Sequence, residues 1–233
     1  MASGPPSKRR RKDQSEEKAA EEAPGTGSSP LVVFAHGAGA PSTSEWMVRW
    51  KEMLGEALDA VQVVTFDYPY ISGGKRKAPP RAEKLVDHHL GVVKDAVTKY
   101  PGHPLILVGK SMGSRVSCMV AGAECINVSV VICLGYPLKG MNGAIRDETL
   151  LQLRTSTFFV QGSKDGLCPL DKLATTRKKM KCINELYVID GGDHSFKIGK
   201  KYQESTGLGQ EEAETRAVKA IAEFVTKCIQ KGD

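Results

Sequence analysis

Three side chains in this chain have the types and the order that acyl transfer requires: a serine, a carboxylic acid and a histidine. Ser111 stands at the centre of Gly109-Lys110-Ser111-Met112-Gly113, directly after the apolar run Pro104-Leu105-Ile106-Leu107-Val108. Glycine on both flanks suits a sharp strand-to-helix turn, because a β-carbon at either place would strike the neighbouring strand or helix. The apex serine is then lifted beyond the sheet edge, and the amide of Met112 is available to an oxyanion that develops there. Asp165 follows the strand-like run Thr157–Gly162, and His194 follows the strand-like run Glu185–Asp190. An elbow serine needs its acid and its base from later strands in that order. A free serine hydroxyl is a poor nucleophile, so His194 is expected to take its proton and return it to the leaving group, with Asp165 fixing the ring's tautomer. Asp190 and Asp193 are the rival acids. Asp193 is too close to fold back onto its neighbour's ring, and Asp190 is expected to end its strand.

These residues need a scaffold that brings loops distant in sequence to one rim. Leu31–Ala35 is a short apolar run that ends in His36-Gly37-Ala38-Gly39, as a buried parallel strand running into a glycine-rich loop would. The amide of Ala38 is the expected second oxyanion donor, and His36 is expected to pin that loop rather than act as base. Trp46, Val48, Trp50, Met53, Leu54, Ala57 and Leu58 recur at helical spacing, with Ser44 as cap. Val61–Pro69 reads as the next strand, 71–81 as a basic loop rich in Gly and Pro, and Ala82–Lys99 as a helix with Leu85, Val86, Leu90, Val93 and Val97 on one side. Ser129–Gly135 reads as a strand, and Gln210–Gln230 as a closing helix. Alternation of this kind predicts an α/β fold, a parallel sheet with helices on both faces and its site at the carboxyl ends of the strands. About twenty residues separate the fourth strand from the fifth, too few for a cap domain.

The chain has 233 residues, 33 Lys or Arg and 27 Asp or Glu, for a formal charge of +6. Residues 1–29 hold six basic and five acidic residues and hardly a large apolar side chain. That composition predicts a disordered tail preceding a single domain at 30–233. Within the tail, Lys8, Arg9, Arg10, Arg11 and Lys12 form a basic block of the kind an import receptor reads. The first residues lack the apolar core of a secretory signal and no apolar run reaches membrane-spanning length, so the expected location is cytoplasmic, nuclear or both. Six cysteines, at 118, 125, 133, 168, 182 and 228, include no Cys-x-x-Cys pair, and reduced buried thiols are expected. Cys168 lies in the acid's loop without an elbow and is read as packing. No cofactor or metal is expected, and neither a membrane nor a specific nucleic acid is expected as a partner. Lys110, the 71–81 loop, Lys197, Lys200 and Lys201 leave two readings open: a cationic mouth favouring anionic acyl substrates, or lysines that only solvate surface loops.

With these residues placed, the chain resembles the α/β-hydrolase superfamily over residues 31–230. More narrowly, His36-Gly37-Ala38, Gly109-Lys110-Ser111-Met112-Gly113-Ser114-Arg115, Gly135-Tyr136-Pro137-Leu138, Arg146-Asp147-Glu148 and Asp193-His194-Ser195 are similar to the hydrolase-like family of testis-expressed protein 30 and subunit 3 of the NSL histone-acetyltransferase complex. The resemblance implies an α/β-hydrolase-type three-layer sandwich and a triad at Ser111, Asp165 and His194. The strands that usually precede the His-Gly strand have no counterpart, so a mostly parallel central sheet of about six strands is expected. Two functions follow: a cofactor-free serine hydrolase acting on esters or thioesters, or a catalytically silent subunit of a nuclear complex.

Overall fold

Six runs dense in Val, Ile, Leu and Phe become the six strands of one sheet. The computed structural model of the protein describes residues 1, 4, 29–74, 77–123, 125–140 and 142–230. In chain order the elements are β1 (Leu31–Ala35), α1 (Glu45–Ala57), β2 (Gln62–Phe66), α2 (Val86–Lys99), β3 (Leu105–Lys110), α3 (Met112–Gly122), β4 (Val130–Leu134), α4 (Glu148–Gln152), β5 (Ser156–Gly162), α5 (Leu170–Lys179), β6 (Asn184–Ile189), α6 (Lys200–Thr206) and α7 (Gln210–Ile229). The expected tail and its basic block Lys8–Lys12 lie outside the described residues, save Met1, Gly4 and Ser29.

The strand order is β2-β1-β3-β4-β5-β6, and every neighbouring pair is parallel. Each link between paired strands must cross over the sheet, which puts helices on both faces. Side chains alternate accordingly. Val33, Leu107, Val131 and Phe159 face one core, with α2, α3 and α5 over it. Val32, Val108, Ile132 and Phe158 face the other, covered by Trp50 and Leu54 of α1 and by Ile221 and Phe224 of α7. The fold is a three-layer α/β sandwich. Among the described residues of 135–155, between β4 and β5, the regular structure is the five-residue α4 and a bridge from Lys139 to Ile145; a connection of this length is too short for a cap domain.

The helical stripes differ in phase from the sequence reading. In α1 the buried positions are Met47, Trp50 and Leu54, and Val48 is 41% exposed on the flank. Ser44 holds the N-cap position, but its side chain makes no capping hydrogen bond. In α2 the buried stripe runs through His89, Val93 and Ala96, continuing Leu85 of the preceding 3-10 turn, which leaves Val97 on the rim. A histidine can centre that stripe because its Nδ1 pairs with the buried hydroxyl of Tyr68 at 3.1 Å. The short α4, α5 and α6 were not anticipated; α6 begins with Lys200 and Lys201, which one of the two sequence readings put on a surface loop.

Candidate active site

The β3–α3 junction is an elbow whose serine adopts a backbone conformation that L residues avoid. Ser111 has φ 52° and ψ −117°. Its amide donates to the Leu134 carbonyl at 2.9 Å, and the Ser114 amide and hydroxyl return to the Ser111 carbonyl at 3.0 and 2.6 Å. The glycines supply the clearance. A Cβ on Gly113 would lie 2.6 Å from the carbonyl oxygens of both Ala35 and His36, and one on Gly109 would run into the backbone of Gly113 and Ser114. Strand β1, the elbow and α3 therefore pack at backbone contact, which pushes the serine side chain out beyond the sheet.

Three loops converge on it. His194 Nε2 lies 2.8 Å from Ser111 Oγ, and His194 Nδ1 lies 2.7 Å from Asp165 Oδ2. An ionised carboxylate only accepts, so Nδ1 carries the proton and Nε2 is left to accept from the serine hydroxyl. The Asp165 side chain is shut away from solvent, while that of His194 is 27% exposed. Asp165 Oδ2 also accepts from the Gln161 side-chain amide, and Oδ1 accepts from the Leu167 amide at 2.8 Å. Gln161 was not anticipated from sequence; its position in β5, four residues before the acid, was the available signal. Asp193 is engaged elsewhere, its Oδ1 accepting from the amides of Ser195 at 2.7 Å and Lys197 at 2.9 Å.

The loop after β1 lies against the nucleophile, since a Cβ on Gly37 would sit 3.3 Å from the Ser111 Cβ. His36 Nε2 accepts from the Tyr68 amide at 3.0 Å, so its proton sits on Nδ1, which donates to the Gly37 carbonyl at 2.6 Å. Burial lowers the His36 pKa, against the raising effects of that backbone bond and of Asp67, which favours the neutral ring this pattern needs. Tyr70 donates to the same carbonyl at 3.2 Å. A trans peptide points its C=O and N–H in opposite directions, so anchoring the Gly37 carbonyl turns the Ala38 amide away from His36 and Tyr70. Met112, the first residue of α3, has an amide with no partner inside the helix.

Lys110 does not join a cationic mouth. Its Cβ is on the α1 and α7 side of β3, and the residue is only 8% exposed. The ammonium donates to the His194 carbonyl and lies over the rings of Phe196 at 4.9 Å and Trp46 at 5.2 Å. Lys77, Lys197, Lys200 and Lys201 are exposed, and Lys75 and Arg76 are outside the described residues. Among the described residues no group of three or more His, Cys, Asp or Glu side chains is placed to hold a metal ion.

Comparison with known proteins agrees with this architecture. Residues 28–226 match the family model described as an alpha/beta hydrolase domain. A monoglyceride lipase homolog of monkeypox virus is 29% identical over 147 residues, which cover 60% of this chain and about half, 49%, of that protein. Est1E from Butyrivibrio proteoclasticus, solved with ferulic acid bound, superposes with a TM-score of 0.66 at 20% identity over 86% of this chain and 90% of its own. An esterase from Pyrococcus furiosus gives 0.67 at 16% identity over 88% of this chain and 84% of its own. A six-stranded parallel sheet with a serine elbow, matched by a family model over most of its length, places the chain in the alpha/beta hydrolase domain family.

Proposed function

We propose that this hydrolase is a serine hydrolase that transfers an acyl group from an ester or thioester to water. The observation that carries the reading is the unbroken hydrogen-bonded chain from Ser111 Oγ through the His194 ring to Asp165. In the proposed cycle His194 Nε2 takes the hydroxyl proton as Oγ attacks the acyl carbon. The amides of Ala38 and Met112 receive the oxyanion, and the imidazolium, paired with Asp165, protonates the leaving group. Water then repeats the sequence on the acyl-enzyme, releasing the acid and regenerating the hydroxyl.

The names of the relatives, a monoglyceride lipase homolog and an esterase, support ester chemistry. The short connection between β4 and β5 supports an open cleft suited to small acyl groups, with little apolar cover for a long chain. The test is a panel of p-nitrophenyl esters and acyl thioesters graded by chain length, with Ser111→Ala as blank. Ser111-dependent turnover, strongest for short chains, is the expected result.

The finer resemblance to the testis-expressed protein 30 and NSL subunit 3 family supports a second reading, a silent subunit of a nuclear complex addressed by Lys8–Lys12. The strained Ser111 backbone favours the enzyme, because a scaffold gains nothing from keeping it. Turnover abolished by Ser111→Ala would decide for the enzyme; a panel with no Ser111-dependent turnover would decide for the scaffold.

A further inference from the structure

The buried lysine beside the nucleophile has no role in the chemistry described so far, and burying an ammonium is costly unless it is paired. Its surroundings are specific. Lys110 lies in register with Leu134, the last residue of β4, and a Cβ on Gly135 would be 2.9 Å from Lys110 Nζ, 3.1 Å from the His194 carbonyl oxygen and 3.6 Å from His194 Cε1. Ammonium, carbonyl and imidazole thus share the one small space that Gly135, at φ 66°, leaves open.

The loop that Lys110 touches is held in a strained form. Phe196 has φ 67° and is fully buried, its ring packed 5.4 Å from Trp50 and 5.9 Å from Trp46. Trp46 Nε1 donates to the Ser195 carbonyl at 3.1 Å, and Gln210 Nε2 donates to the Phe196 carbonyl at 2.9 Å. Three successive carbonyls, of residues 194, 195 and 196, are therefore each taken by a side chain from a different element. The Lys110 bond ties the backbone of this loop to β3, the strand that leads into Ser111.

We propose that Lys110 is a positioning residue for the base: its ammonium holds the His194 backbone against the nucleophile's strand and so keeps the imidazole at Ser111. The catalytic side of this rests on reading His194 as the base. Around the ring stand Asp165 on Nδ1, Ser111 on Nε2, Asp193 one residue earlier and Lys110; Asp165 and Asp193 are also the carboxylates that act on the lysine. Burial pushes the Lys110 ammonium down to about 8 against the pull of those two, so the charge is present below that pH.

The test follows His194 directly, in full-length protein, by NMR titration of its Cε1–H resonance assigned with His194→Ala. Fluorophosphonate labelling rates are read at the same pH values. Lys110→Met, which removes the donor to the His194 carbonyl, is expected to move the His194 Cε1–H resonance from its wild-type position at pH 7 and to slow labelling about tenfold. Lys110→Arg, which keeps a charged donor at that place, is expected to restore the wild-type resonance and most of the labelling rate. Should Lys110→Met not fold, Lys110→Gln makes the same comparison. A folded neutral variant with the wild-type His194 resonance and labelling rate overturns the proposal. A wild-type protein that takes no fluorophosphonate, while its His194 resonance still moves on Lys110→Met, supports the lysine's positioning role and counts instead against acyl transfer.

Discussion

Gly162, the last residue of β5, and Asp193, in the loop after β6, cross at backbone contact: a Cβ on Gly162 would collide with the carbonyl oxygens of both Asp193 and Gly192. The strand leading to the acid and the loop carrying the histidine are thereby stacked on each other. The Lys164 amide adds a hydrogen bond to the Gly192 carbonyl at 2.8 Å.

Gly162→Ala is therefore expected to lift the histidine loop. Backbone atoms cannot swing aside as a flexible side chain would, so a stability loss of about 1–3 kcal/mol is expected. Fluorophosphonate labelling should fall much further, by at least about a hundredfold, because a displacement near 1 Å breaks productive geometry. Gly199→Ala is the control, since nothing lies within 4 Å of its Cβ position, and it should alter neither melting temperature nor labelling. Equal effects of the two substitutions would contradict the stacking argument.

Acid sensitivity follows from the buried histidines. Burial lowers the His89 pKa to about 3 from 6.5, with His88 adding to the shift, and burial lowers that of His36 as well. Each ring binds a proton more readily in the unfolded chain. Their contribution to stability is thus complete above about pH 6.5 and is lost as pH falls towards the folded value, by up to about 1.4 kcal/mol per pH unit for each ring. Urea midpoints at pH 7.5, 6 and 5 should decline, and His89→Asn should make the decline shallower. An unchanged slope in His89→Asn would remove that histidine from the account.

Cysteine reactivity separates packing thiols from an accessible one. Cys168 is 1% exposed, and burial, followed by the charge of Asp165, pushes its thiol up to about 12. Cys118 and Cys133 are fully buried, their sulfurs 3.6 Å apart, whereas Cys125 is exposed. Brief treatment with iodoacetamide at pH 7.5 should modify Cys125 first and leave 118, 133 and 168 intact until the protein unfolds. Peptide mapping that found Cys168 alkylated in the native protein at the rate of Cys125 would contradict this.

Much of the architecture was legible because it is written locally. Apolar runs ending in glycine marked β1, β3 and β4, and the Gly-x-Ser-x-Gly spacing marked the elbow where Ser111 is found. The loops of Asp165 and His194 could be located because each follows a strand of the same parallel sheet. What stayed hidden depends on contacts between distant segments. Lys110 reads as a surface charge until Trp46 and Phe196, 64 and 86 residues away in sequence, are folded over its ammonium. His89 reads as polar until the Tyr68 hydroxyl meets it, and that pairing sets the buried stripe of α2. Gln161 reads as one more strand residue until the turn after β5 brings the Asp165 carboxylate back to its amide.

The most direct test of the account is to treat the full-length protein with a fluorophosphonate and locate the adduct by mass spectrometry. Acyl transfer at the elbow predicts one modified residue, Ser111, with labelling absent in Ser111→Ala and slowed by about a thousandfold or more in His194→Ala. No adduct on folded protein, or an adduct that persists at the same rate in Ser111→Ala, would contradict it.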